Sequence, residues 1–329
     1  MKNSLKIVAV LVGTFVGAGF ASGQEIMQYF VVYGKYGLIG AFISCMFFSM
    51  FCYCTMNNLI ELGDTSYLTE VNRYPILKFI YCSFMVTMFC TMVTATGEML
   101  HSVFGLSKIY GVIGMAAVSG IVMWFGGEGI VKLNSMVTPL IFAGILVVFF
   151  IDVYTNSVST MACGNFFTSS IIYVSYNMIT LSAVTAGISK LVDCKKTAVL
   201  SSATSGLVIY LLIACMWYIL HKMPVNNFEI PVLQAMSSGA VYIYVPVLIA
   251  AMVTTAVSNG YGLICERRNN RIFYIIVLCF AAIIFSVFRF SFIVKYFYGM
   301  FGFVGIFVMA DNFRIFVKVR KTKKKEEKY

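Results

Sequence analysis

Hydrophobic residues in this chain come in long runs rather than in the alternating or one-faced patterns of a soluble core. Ten predominantly apolar stretches can be read, at roughly 5–32, 38–59, 77–100, 106–125, 134–153, 166–189, 198–220, 240–264, 272–288 and 293–313. Each is close to the ~20 residues that a helix needs to cross a bilayer. Lipid offers no partners to backbone N–H and C=O groups, so each crossing must satisfy its own as a helix. Only the connections 61–76, 154–165 and 221–239 exceed ten residues. The pattern predicts an all-α polytopic membrane protein of one domain, with ten transmembrane helices. The N-terminal stretch also fits a secretory signal, with Lys2 and Lys6 before an apolar run and small residues near Ala21-Ser22-Gly23. The apolar character nevertheless continues through "IMQYFVV", which favours a retained helix.

Composition agrees: 60% of the 329 residues are hydrophobic and 11% are charged, more apolar surface than one soluble core could bury. Charge then orients the chain, because Lys and Arg are retained on the cytoplasmic side. With the N-terminus inside, inner segments hold 19 of the 24 basic residues, and the outer loops hold Lys35, Lys108, Lys222, Arg289 and Lys295. Both termini are expected in the cytoplasm of a bacterial cell. The net charge of +11 lies in inner loops and in the tail "RKTKKKEEKY", with no soluble domain attached, so anionic membrane lipids are the expected partner rather than nucleic acid. Eight of the ten cysteines fall in or at the ends of spans, leaving Cys163 outside and Cys194 inside, with neither a disulfide framework nor a zinc pattern.

Two spans carry residues that a plain membrane helix does not need. The first, "VGTFVGAGFASGQEI", is part of a 28-residue segment that as one helix would be ~42 Å long, against a hydrocarbon core of ~30 Å. Gly17, Gly19 and Gly23 cluster at its middle, where each weakens a helix by ~1 kcal/mol relative to alanine. A break is expected there. In the sixth span Ser175, Tyr176 and Asn177 stand near the midpoint, and polar side chains there can replace lost backbone partners. Interruptions at matching positions of two halves point to a transporter's binding site. An offset of 160 residues lays Met92-Val93-Thr94 over Met252-Val253-Thr254 and Gly17 over Asn177, in register with a five-plus-five inverted repeat. The repeats would cover about 5–156 and 165–313, followed by a basic tail at 314–329. Gly13-xxx-Gly17 and Gly19-xxx-Gly23 also fit close helix packing, which leaves Gln24 and Glu25 unexplained. "GAGFASG" is a poor dinucleotide fingerprint, with Ser22 at the third glycine position and no strand before it.

The motif "GTFVGAG" with the ten-helix plan resembles the LeuT-fold transporters of the amino acid, polyamine and organocation superfamily. Within it, "GAGFASGQEI" looks most like the bacterial YkvI-like membrane proteins, akin to branched-chain amino acid carriers and germinant-receptor permeases. In sodium-coupled members of the fold, carbonyls of the broken first helix and a carbonyl and two hydroxyls of the eighth hold a cation. The resemblance carries these roles to Gly13 and Val16, and to Ala251, Thr254 and Thr255 of "AMVTT". It also implies that a substrate carboxylate meets the N–H groups of Ala18 and Gly19 beside Gly17. An ammonium would meet the carbonyls near Phe15 and Tyr173, and Ser175, Tyr176, Asn177 and Asn259 would line the pocket.

Glu25 lies about six residues past the break, where an unpaired carboxylate costs at least ~2.5 kcal/mol on insertion scales. Facing water, a proton or a cationic substrate would justify it. Glu98, near the outer end of the third span, is the second acid in reach of a pathway; an interfacial position explains it equally well. Glu128, Lys132, Asp152 and Asp311 sit at predicted span ends, as do His101 and His221. The expected function is secondary transport of a small polar organic solute, an amino acid or related amine, with sodium as coupling ion. Proton-coupled carriage of an organic cation through Glu25, and a permease that senses rather than transports, are the alternatives. No catalytic constellation is legible, and no cofactor is called for. The oligomeric state is left open.

Overall fold

The computed structural model describes residues 2–63, 75–150, 165–187, 191–221, 228–236, 238–264 and 270–326. Every described apolar run is helical. The first span is divided into α1 (Lys2–Phe15), α2 (Ala18–Ala21) and α3 (Gln24–Tyr29). Spans two to five follow as α4 (Tyr36–Leu62), α5 (Pro75–Phe104), α6 (Lys108–Trp124) and α7 (Gly126–Phe150). Span six is α8 (Phe166–Gly187) and span seven α9 (Lys195–Leu220). A short α10 (Pro231–Ala235) precedes α11 (Ser238–Ile264), the eighth span, and α12 (Arg271–Phe285), the ninth. The tenth begins as α13 (Phe290–Ile293), passes through a π-helical turn at Val294–Tyr298 and continues as α14 (Gly299–Glu326). Five segments, Tyr36–Leu62, Lys78–Phe104, Lys195–Leu220, Gly239–Ile264 and Phe290–Thr322, are each long and apolar enough to cross a membrane.

The helix breaks where its glycines lie. Gly17 is extended, and its N–H turns to Phe15 O at 3.0 Å, so the Gly13 carbonyl loses its helical donor. Gly23 adopts φ +80°, and a Cβ there would also stand 2.6 Å from Val232 Cγ2 and 2.8 Å from Leu220 Cδ1. Only glycine meets both demands. Borrowed partners satisfy the loosened backbone: Ser22 Oγ donates to Gly19 O at 2.9 Å, Tyr244 Oη to Ala21 O at 2.7 Å, and Val232 N to Ser22 O at 3.1 Å. The short α10 thus sits on the second break.

The second expected interruption is absent. Across Ser175, Tyr176 and Asn177, α8 is a continuous helix. Its polar side chains return to their own helix instead of replacing a missing turn: Ser175 Oγ donates to Ile171 O at 2.6 Å and Asn177 Nδ2 to Tyr173 O at 2.8 Å. No glycine precedes Gly187 in α8, so nothing in the backbone weakens it at mid-span.

Two packed groups enclose this broken segment. The helices α1, α4, α8 and α9 pack on one another, and α5, α6, α11 and α12 form a second set. Helix α14 lies on α4 and α8. It comes close because Gly302 and Gly305 carry no side chains where the Ile172 and Ser175 carbonyls approach. A buried polar ladder adds to this contact: Asn58 Nδ2 reaches Asn312 Oδ1 at 2.9 Å, and Asn312 Nδ2 reaches Thr55 Oγ1 at 2.6 Å. Large apolar side chains such as Phe42, Phe79, Ile121, Phe280 and Phe307 point outward, as lipid requires.

Candidate substrate site

Glu25 stands in the first turn of α3, and the Gly23 turn folds its side chain back over α2. A Cβ on Gly19 would overlap the Glu25 carboxylate. The residue is only 4% exposed, and its Oε2 has no hydrogen-bond partner. Leaving such a group unsatisfied is costly.

Tyrosines from three separate segments surround it. Tyr29 follows one turn later in α3, Tyr173 and Tyr176 come from α8, and Tyr298 ends the π turn. Tyr176 turns its hydroxyl toward the carboxylate, close enough to interact but short of well-formed hydrogen-bond geometry. Ring centroids lie 5.4 Å apart for Tyr29–Tyr173, 5.8 Å for Tyr29–Tyr176, 5.6 Å for Tyr173–Tyr176 and 5.1 Å for Tyr176–Tyr298. All four hydroxyls are buried without a partner. Phe15 and Phe30 close the outer side of Tyr173, edge-on at 5.4 and 4.8 Å. The π turn widens the helix at Tyr298, a device often found at functional sites.

The structure brings Phe15, Gly19, Glu25, Tyr173 and Tyr176 together. Gly17 lies beside α11, where an added Cβ would stand 3.2 Å from Thr255 Oγ1. Asn259 donates to Thr255 O at 2.8 Å and keeps Oδ1 unpartnered. Asn177 is half-buried and turned to its own helix, while Ser175 packs against Gly305. Of the expected sodium ligands, Thr254 Oγ1 donates to Ala251 O at 3.0 Å, Val16 is buried and Gly13 is half-buried.

Glu98 stands apart. It pairs with Lys108 Nζ at 2.7 Å across the α5–α6 connection, which accounts for its burial without a pathway role. Asp152 lies outside the described residues, and Asp311 pairs with Arg314 at 2.8 Å. A groove of ≈ 660 Å³ between α6 and α12, lined by Ile113, Trp124, Ile275 and Phe280 among others, is apolar and away from Glu25.

Sequence reasoning missed Tyr29, Tyr298 and Tyr244. Tyr29 was within reach of it, since residues four apart share a helix face. Tyr298 and Tyr244 are distant in sequence and carry no local signal.

No family model matches the chain. Two proteins of Bacillus subtilis (strain 168) are similar along nearly their whole length. The uncharacterized membrane protein YkvI is 24% identical, covering 92% of this chain and 93% of its own. The uncharacterized protein YyaD is 22% identical, covering 94% and 96%. Among solved structures, a mutant of the Eremococcus coleocola manganese transporter superposes with a TM-score of 0.55 at 12% identity, covering 84% of this chain and 68% of that one. This is a multi-pass membrane protein with the LeuT-type transporter fold. The distant kinship with YkvI agrees with the resemblance of the first-span motif.

Proposed function

We propose that this protein is a secondary transporter that moves a small amino-bearing organic solute across the membrane by alternating access. The observation that carries the reading is the buried Glu25 carboxylate, unpaired at Oε2, beside the broken first helix and beneath four tyrosine rings. An acid in that position marks a substrate or ion pathway, and a break in the helix leaves peptide groups free to bind cargo. The solute's amino group would sit at Glu25, with Phe15, Tyr173 and Tyr176 around it.

The two packed helix groups support a rocking motion. Spans one, two, six and seven would turn as one body (α1, α4, α8, α9) against spans three, four, eight and nine (α5, α6, α11, α12), as in a five-plus-five inverted repeat over about 5–156 and 165–313. Both termini are assigned to the cytoplasm from the basic residues. Manganese, the cargo in the neighbour's name, is not adopted: the site offers one carboxylate, and no three His, Cys, Asp or Glu converge among the described residues.

Sodium coupling is the second reading, favoured by Thr255 lying against Gly17 and by the freed Gly13 carbonyl. Thr254 Oγ1 donates to Ala251 O, a bond within its own helix that leaves the hydroxyl's lone pairs available to a cation.

The test is uptake by the purified full chain in proteoliposomes, with labelled amines and amino acids, with and without a sodium gradient. Uptake abolished by Glu25→Gln is expected. Uptake insensitive to Glu25→Gln but lost in Thr254→Ala and Thr255→Ala would move the cargo and coupling site to the sodium position. Saturable binding without flux would make the protein a sensing permease.

A further inference from the structure

We propose that the cargo is a small organic cation without a carboxylate, and that each cation bound displaces one proton from Glu25, so that the carrier exchanges organic cations for protons. The inference rests on the transporter reading above and deepens it.

The charge inventory around Glu25 comes first. The described groups facing it are Tyr29 from α3, Tyr173 and Tyr176 from α8, and Tyr298 from the π turn, with Thr91 of α5 behind Tyr298. None is basic. Lys295, in the same turn as Tyr298, is exposed and lies over the Tyr296 ring at 5.6 Å. The other described acids with ion pairs have their own partners: Glu98 with Lys108, Glu229 with Arg289, Glu61 with Lys195 and Asp311 with Arg314. Glu25 therefore has no resident counter-ion among the described residues. A carboxylate enclosed in this way is neutralised by a proton or by a cation that enters the site.

Position then selects the class of cation. Beside Gly19 the Glu25 carboxylate already occupies the approach to the α2 backbone where the resemblance would place a substrate carboxylate. A zwitterionic amino acid would bring a second negative charge to that spot, and like charges in a low-dielectric site repel strongly. A lone ammonium meets no such penalty. The tyrosine rings offer it negative faces, and four unpartnered hydroxyl oxygens can accept its N–H groups.

Exchange follows from single occupancy. In the loaded state Glu25 is a carboxylate paired with the ammonium. In the return state it is a carboxylic acid. Passing from acid to ion pair breaks only the carboxyl O–H bond, and the proton leaves to water on whichever side the site is open. No oxidant, reductant or second substrate is involved.

The experiment uses the purified full chain and three matched probes: 3-methylbutylammonium, leucine, which adds a carboxylate to the same alkylamine, and 3-methylbutanol, which lacks the charge. A series from primary to quaternary ammonium ions accompanies them. Calorimetry in buffers of different ionisation enthalpy counts protons released. The expected result is about one proton per ammonium bound, with affinity falling by about tenfold per pH unit on the acid side of the Glu25 titration. Leucine and the alcohol should bind at least about tenfold more weakly. Glu25→Gln, which mimics the protonated acid and should fold, should lose ammonium binding and proton release together. Ammonium binding without proton release, or leucine binding as tightly as its amine, would overturn the exchange while leaving the transporter reading intact. If no ammonium ion binds but leucine is transported, only the cation assignment falls; if nothing binds or is transported, both fall.

Discussion

The carboxylate of Glu25 rests on the Cα of Gly19, six residues back along the same chain, because the left-handed turn at Gly23 folds α3 over α2. Gly19, inside the short α2, is thus a spacer for an acid, and the breaks lie on either side of it at Gly17 and Gly23. Gly19→Ala puts a methyl group into the carboxylate's place. We expect ammonium binding to drop by about tenfold or more while the protein stays folded, with an overpacking cost of about 1–3 kcal/mol. Binding calorimetry paired with thermal unfolding checks it; unchanged affinity would mean that the carboxylate position does not matter.

The Tyr176 ring and the Tyr176 hydroxyl make separable contributions. Tyr176→Phe keeps the aromatic face and removes only the oxygen, whereas Tyr176→Leu removes both. The leucine variant should weaken ammonium binding by about 0.5–2 kcal/mol more than the phenylalanine variant, the range of a cation–π contact. Equal effects in the two variants would exclude the ring from recognition.

Asn312 holds α14 to α4 through Asn58 and Thr55, all three buried. Asn312→Ala leaves the partners unsatisfied in a lipid-enclosed interface. A loss of about 1–3 kcal/mol in stability is expected, read as a lower unfolding temperature in detergent, with ligand affinity retained in the folded fraction.

Cys194, exposed just before α9, has its thiol held below the usual cysteine range by the Thr197 hydroxyl, 3.4 Å away. A lowered thiol titration means more thiolate at neutral pH, hence faster alkylation. With Cys163, expected on the outer face, replaced by serine, labelling by a membrane-impermeant maleimide should be quick, slower in Thr197→Ala and lost in Cys194→Ser. It should occur in inside-out vesicles and not in intact cells. Reaction from the outer face would reverse the assigned orientation.

Apolar run length and glycine placement were enough to read the helices among the described residues, five of them long and apolar enough to cross a membrane, and the break in the first segment, since both act within a few turns of chain. The same reading misjudged α8. Ser175 and Asn177 looked like a second interruption, yet a polar side chain can equally bond back to its own helix. Only the absence of a nearby glycine distinguished the cases.

The order of residues was sufficient to show that the chain lies in the membrane, that its spans are helical and that the first cannot run straight. These follow from the cost of bare peptide groups in lipid and from the backbone freedom of glycine, both local properties. Which groups meet Glu25 is set by the packed fold alone. Tyr29 shares its helix, but Tyr173, Tyr176 and Tyr298 arrive from about 150 to 270 residues away, through the packing of α8 and the π turn around the broken segment. No spacing rule along the chain encodes that convergence, because it depends on how separate helices pack.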